Sequence, residues 1–167
     1  QDKSVNVLLI EAGGSGKSLF TSMPGGNGYI FGNPKFDWGF ESTPQSSLNN
    51  RKILYPRGKG LGGSSLLNGM IYMRGASGDF NRWRQKGLKG WSYDDVLPYF
   101  KKSASSYHRK EDKYHSHKGP LKLTAAGNYN DIDKAFIDAC VEAGASINYD
   151  FYNDNLNGVG RYDVKVW

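Results

Sequence analysis

The chain has 167 residues, 38% of them hydrophobic, a formal net charge of +6 and a single cysteine. That length suits one folded domain, one cysteine excludes an internal disulfide, and no apolar run approaches the ~20 residues of a spanning helix, so no transmembrane segment is expected. The basic excess is spread along the chain instead of forming one stripe, which argues against nucleic acid as a partner. The 22 glycines, 11 tyrosines and 4 tryptophans point instead to irregular loops that carry aromatic rings.

In chain order, the first expected element is a strand over 5–10. Val7-Leu8-Leu9-Ile10 is a short apolar run ending in Glu11-Ala12-Gly13-Gly14, the pattern of a buried parallel strand feeding a tight turn. Gly13-x-x-Gly16-Lys17-Ser18 lacks the spacing of a phosphate-binding P-loop, which places four residues between its glycines. An irregular section runs through Asn33-Pro34. Trp38 to Ser42 and Lys52 to Tyr55 then read as extended segments of a hairpin around Ser47-Leu48-Asn49-Asn50.

A short helix is expected from Ser65, with Ser64 and Ser65 capping it and leaving N–H groups free to face an anion. Asp79 to Gln85 reads as a helix ended by Gly87. Ser92 with Asp95 is a capping-box start, and Pro98 is expected to break or restart the helix that follows. Leu121 to Thr124 is a strand after Gly119-Pro120. Residues 131–143 repeat apolar side chains at helical spacing (Ile132, Ala135, Phe136, Ala139, Cys140, Ala143), with Gly144 as the stop. Arg161 to Val166 alternates like a strand.

Three histidines invite a metal reading. His115-x-His117 near Glu111 and Asp112 has a spacing that ligands use, yet its Ser, Lys and Tyr surroundings read as a solvated loop, and no metal is expected. His108 shows no partner signature. Cys140, inside a helical pattern, reads as a small apolar residue and not as a nucleophile.

Residues 58–81 carry the densest information: GKGLGGSSLLNGMIYMRGASGDFN. Glycines without a Cβ let the backbone approach a ligand closely. Gly58, Lys59, Leu61, Gly62, Gly63, Ser64, Ser65, Leu67, Asn68, Tyr72, Gly75 and Asn81 together resemble the first signature of the glucose–methanol–choline (GMC) family of FAD-dependent oxidoreductases. Further landmarks stand in that family's order: Pro56-Arg57, Trp91-Ser92-Tyr93, Leu97-Pro98-Tyr99-Phe100 and Gly119-Pro120-Leu121. The resemblance thus extends over nearly the whole chain. Leu48-Asn49-Asn50-Arg51 and the run from Pro56 to Met70 are most similar to choline-dehydrogenase-type members.

The resemblance implies an α/β fold, part of an FAD-binding doubly wound (Rossmann-like) domain, with irregular glycine- and aromatic-rich loops covering the flavin. The first βαβ turn with its G-x-G-x-x-G is missing ahead of Val7. Residues 1–118 are expected to form this partial FAD-binding domain, and 119–167 to lead toward a substrate domain. The chain reads as an N-terminal-to-central fragment of a much longer enzyme whose catalytic histidine lies elsewhere, so no catalytic residue is assigned.

The implied activity is oxidation of an alcohol (CH–OH donor) by hydride transfer to flavin N5. Glu11, at the end of the strand that would carry the ribose-binding carboxylate, is expected at the adenosine ribose. Gly62, Gly63 and Ser64 are expected at the pyrophosphate or ribitol, and Asn68, Gly69, Ile71 and Tyr72 around the flavin. Some choline-oxidising members attach FAD through a histidine just before the signature asparagine. Leu67 stands there instead, which implies non-covalent FAD. The implied partner is a small-molecule alcohol, with the electron acceptor unassigned. Two other classes share these residues: a non-catalytic interaction protein with a truncated family fold, and a flavin-dependent hydroxynitrile lyase.

Overall fold

In the computed structural model, which describes residues 3–127 and 130–165, the chain divides into two compact units, Gln1–Met70 and Ile71–Trp167. The class is α/β, with short strands and long connecting loops.

In the first unit, Ser18 opens α1 (Leu19–Ser22) by accepting from the N–H groups of Phe20 and Thr21, and Thr21 returns a bond to the cap. Ile30, Phe36 and Leu67 form a buried cluster. The expected hairpin is present: β1 (Phe40–Glu41) pairs antiparallel with β2 (Leu54–Tyr55), Phe40 opposite Tyr55. Asn49 and Asn50 turn the connection at positive φ, a conformation asparagine adopts more readily than other non-glycine residues.

The strand expected over 5–10 does not form. Val7, Leu8, Leu9 and Ile10 are 74–86% exposed, and among the described residues no strand pairs with them. A strand needs a neighbour's N–H and C=O groups on at least one side, and an apolar run without a ladder partner has nothing to bury it.

In the second unit, α2 (Ser77–Gln85) starts two residues earlier than expected and ends ahead of Gly87. Ser92 and Asp95 form the expected reciprocal cap of α3 (Tyr93–Ser103). Pro98 does not interrupt α3, contrary to expectation. Its missing N–H removes one ladder bond at mid-helix, while Tyr93 and Leu97 are buried and Phe80 of α2 packs edge-on against Phe100 at 5.7 Å.

Three strands form a sheet in the order β3 (Ala104–Ser105), β4 (Leu121–Ala125), β5 (Asp163–Lys165). β3 lies parallel to β4, and β4 antiparallel to β5 with Thr124 opposite Val164. Val166, expected to close this strand, lies outside the described residues. α4 (Asp131–Glu142) is capped reciprocally by Asn130 and Asp133. Its Ile132 and Phe136 are exposed and, with Ile71, Val159 and Val164, line an open cleft of about 510 Å³. Cys140 on the same helix is half-buried.

Candidate functional site

The glycine-rich run of the first unit is held from two sides by backbone. On one side the carbonyl of Gly14 accepts the N–H of Leu61 at 2.9 Å, and Gly14 bridges Gly60 in parallel. A Cβ on Gly13 would collide with the backbone of Lys59 and Gly60, so the approach requires glycine there. On the other side Phe36 O accepts from Lys59 N at 2.8 Å, Trp38 N donates to Arg57 O at 2.9 Å, and Asp37 bridges Gly58 antiparallel.

Asp37 is 4% exposed. Its carboxylate accepts three backbone N–H groups: Gly32 at 2.9 Å, Gly39 at 3.0 Å and Arg57 at 3.0 Å. Burial opposes its ionisation, but the N–H groups of Gly32, Gly39 and Arg57 outweigh burial and hold its carboxyl below the usual range.

The loop between these supports turns sharply. Gly62 and Gly63 have φ of 102° and 54°, and a 3₁₀ turn covers Gly63–Leu66. The serines do not cap this turn as expected. Ser64 Oγ accepts from Gly58 N at 3.1 Å and Ser65 Oγ donates to Gly62 O at 2.7 Å. Both hydroxyls tie the loop to its own backbone.

Gly63 faces open space: a Cβ built there meets no atom within 4 Å, and the same holds at Gly69. Leu67 turns the other way, into the cluster with Ile30 and Phe36. Asn68 Oδ1 accepts from Met70 N at 2.9 Å, which steadies Met70 at a φ of 61°. Glu11 is exposed, and its carboxylate accepts from Gly13 N at 2.7 Å. Glu11 and the Gly62–Gly69 residues therefore belong to one supported arrangement in the first unit.

Ile71 and Tyr72 belong to the second unit. Ile71 is exposed and bridges Val164. Tyr72 is tied at both backbone groups: its N–H donates to Asp163 O at 2.9 Å, and its carbonyl accepts from Tyr152 Oη at 3.1 Å.

Around the buried Asp163 lies a polar cluster that has no local signature in the sequence. Arg109 donates to both Asp163 oxygens at 2.9 and 2.8 Å, and His108 lies 3.0 Å from the same carboxylate. The Asp163 hydrogen bonds raise the Arg109 pKa despite burial. His115 does not sit on a solvated loop as expected: it is 2% exposed, with Nε2 2.9 Å from Asp150. His117 Nε2 lies 2.9 Å from Arg109 O. These partners are 35 and 54 residues apart in the pairs His115–Asp150 and Arg109–Asp163, beyond the reach of any local pattern. Among the described residues no group of three or more His, Cys, Asp or Glu could hold a metal ion.

The arrangement offers a rigid, bare backbone turn and an exposed carboxylate on the same unit, suited to receiving an extended ligand along main chain. Comparison with known proteins gives that reading a family. A profile described as GMC oxidoreductase matches residues 6–166. An oxygen-dependent choline dehydrogenase of Rhizobium etli is 42% identical over 167 residues, covering all of this chain and 30% of that protein. Its counterpart from Vibrio vulnificus is 44% identical over 164 residues, covering 96% of this chain and 29% of that protein. Among solved structures, pyridoxine 4-oxidase from Mesorbium loti matches with a TM-score of 0.86 and 26% identity, over 94% of this chain and 31% of that one. An FAD-dependent oxidoreductase from Chaetomium thermophilum matches with a TM-score of 0.79 and 27% identity, over 92% of this chain and 28% of that one. The chain spans about 30% of the length of the curated relatives it matches. With its signature loop in place and a family match from residue 6 to residue 166, the chain belongs to the GMC oxidoreductase family.

Proposed function

We propose that this chain holds the cofactor in an FAD-dependent oxidoreductase of choline-dehydrogenase type that oxidises a small-molecule alcohol. Residues 1–118 form the cofactor-binding part, and 119–167 lead toward the substrate domain. Glu11, Gly62, Gly63, Ser64, Asn68, Gly69, Ile71 and Tyr72 contact FAD.

The observation that carries this reading is the Gly62–Gly63 turn. The backbone leading into it is held from both sides, and Gly63 leaves the space beyond its Cα free of other protein atoms within 4 Å, so no side chain stands between this turn and a ligand. When bound, FAD supplies the hydride acceptor at flavin N5. The protein groups do the holding. Exposed Glu11 would accept from sugar hydroxyls, the role of the ribose-binding carboxylate in doubly wound nucleotide-binding folds. Ser64 keeps the turn closed through Gly58, and the Asn68–Met70 turn presents a fixed carboxamide. Leu67 carries no nucleophile and lies in the apolar cluster, which supports non-covalent FAD. The names of the relatives, choline dehydrogenase and pyridoxine 4-oxidase, support an alcohol as substrate.

The test is to purify the protein carrying this chain and record its visible spectrum. The expected result is bound flavin, released into the supernatant by acid precipitation, and bleached without oxygen by a primary alcohol such as choline. A colourless protein that takes up no FAD would overturn the reading.

A further inference from the structure

A carboxylate taken out of water is stable only when its oxygens find donors. Asp37 is such a group, and its donors are unevenly placed. One oxygen accepts from both Gly39 and Arg57, while the other accepts from Gly32. Arg57 leads directly into the signature turn. Its neighbour Gly58 donates to Ser64 Oγ at 3.1 Å, and the Cα of Gly58 lies so close to the Gly63 carbonyl that a Cβ would collide with it. A continuous chain of contacts therefore runs from the Asp37 carboxylate through Arg57 N–H and Gly58 to Gly63 and Ser64.

The flanking backbone reinforces that chain. Phe36 and Trp38 bond Lys59 and Arg57 on either side of Asp37, so this short segment is a template against which residues 57–59 are laid. Those backbone bonds set the pairing, but neither engages the Arg57 N–H. That N–H donates to the Asp37 carboxylate at 3.0 Å, a charged acceptor.

We propose that Asp37 is a positioning residue for the cofactor: buried beneath the loop, it fixes the Gly58–Ser64 turn through the Arg57 N–H. The proposal rests on the FAD reading above. Asp37 acts through main chain, so its effect depends on charge and on acceptor geometry at one oxygen.

The experiment compares wild type, Asp37→Asn and Asp37→Ala in the protein carrying this chain. FAD affinity is measured well below each unfolding temperature, together with the flavin midpoint potential and the melting temperature. Asp37→Asn can keep an oxygen toward Arg57 and Gly39 while setting its amide against Gly32. Asp37→Ala loses every contact. The expected result is an FAD Kd raised about tenfold by Asp37→Ala and about threefold by Asp37→Asn, as expected for losing charged acceptors. The midpoint potential shifts in the same order. Where the alanine variant fails to fold, the asparagine variant and wild type decide alone. A Kd within about twofold of wild type and an unmoved potential, with only the melting temperature lowered, would make Asp37 scaffolding and overturn the proposal. A wild-type protein without FAD would instead overturn the functional reading, and this proposal with it.

Discussion

The hydroxyl of Tyr152 donates to the carbonyl of Tyr72 at 3.1 Å and accepts the N–H of Asp163 at 3.0 Å. Asp163 O in turn accepts from Tyr72 N, so one side chain is spliced into the pairing of residues 71–72 with β5. Tyr152 is 2% exposed, and burial pushes its phenol pKa upward. Tyr152→Phe removes this partner from the half-buried Tyr72 carbonyl and from the buried Asp163 N–H. The expected loss is about 1–3 kcal/mol per orphaned group, read as a lower urea midpoint. A midpoint equal to wild type would show that water replaces the hydroxyl.

Acid should weaken the fold through two carboxylates. Burial opposes ionisation of Asp150, but the His115 side chain and Tyr152 N–H outweigh it, so its pKa is lowered, as is that of Asp37. A depressed carboxyl adds stability that is fully present above the unfolded value of about 3.9 and is lost as pH falls through the folded value. Melting curves from neutral pH into acid should show wild type above Asp150→Asn at neutral pH, with the gap closing below about pH 4. A gap that stays constant in acid would remove the charge from the account.

Two glycines of the signature should fail differently. Gly58→Ala places a methyl into the Gly63 carbonyl and should destabilise the first unit itself. Gly63→Ala meets no protein atom, and its penalty is the positive φ of 54°, about 1–2 kcal/mol for a residue with a Cβ. FAD content should therefore fall in Gly63→Ala by more than its melting temperature explains, while in Gly58→Ala the two fall together. Parallel losses in both variants would place Gly63 away from the cofactor.

Glu11 already bonds Gly13 N, yet it remains exposed. Glu11→Leu should lower FAD content after purification clearly more than Glu142→Gln, a change at the last residue of α4. Each lost charge-assisted bond to a ribose hydroxyl is worth roughly 1.5–3 kcal/mol. Equal FAD content in the two variants would take Glu11 out of the site.

Local chemistry was legible where local forces decide. Ser92 with Asp95 announced α3, and the Ile132–Phe136–Ala139 spacing announced α4, because caps and helical periods act within a few residues. The 58–81 run announced the family for a related reason: Gly58, Gly60 and Gly62 are demanded by contacts made inside that loop and with Gly14. What was not legible depends on distant partners. Asp37 reaches 20 residues ahead to Arg57, and His115 reaches 35 to Asp150, so neither left a mark in its own neighbourhood. Val7 to Ile10 shows the opposite failure: its apolar pattern is that of a buried strand, and no described strand lies beside it.

On the proposed reading the loop from Gly62 to Tyr72 touches the flavin, and Asn68→Asp probes that contact. Aspartate can accept from Met70 N just as Asn68 Oδ1 does at 2.9 Å, so the turn survives and only a charge is added. A negative charge beside a flavin that becomes anionic on reduction disfavours reduction. The measurement is the midpoint potential of the bound flavin, taken with the melting temperature. A potential lowered by about 30 mV or more, a tenfold change for a two-electron couple, with melting nearly unchanged is the predicted result. An unmoved potential with a lower melting temperature would contradict it.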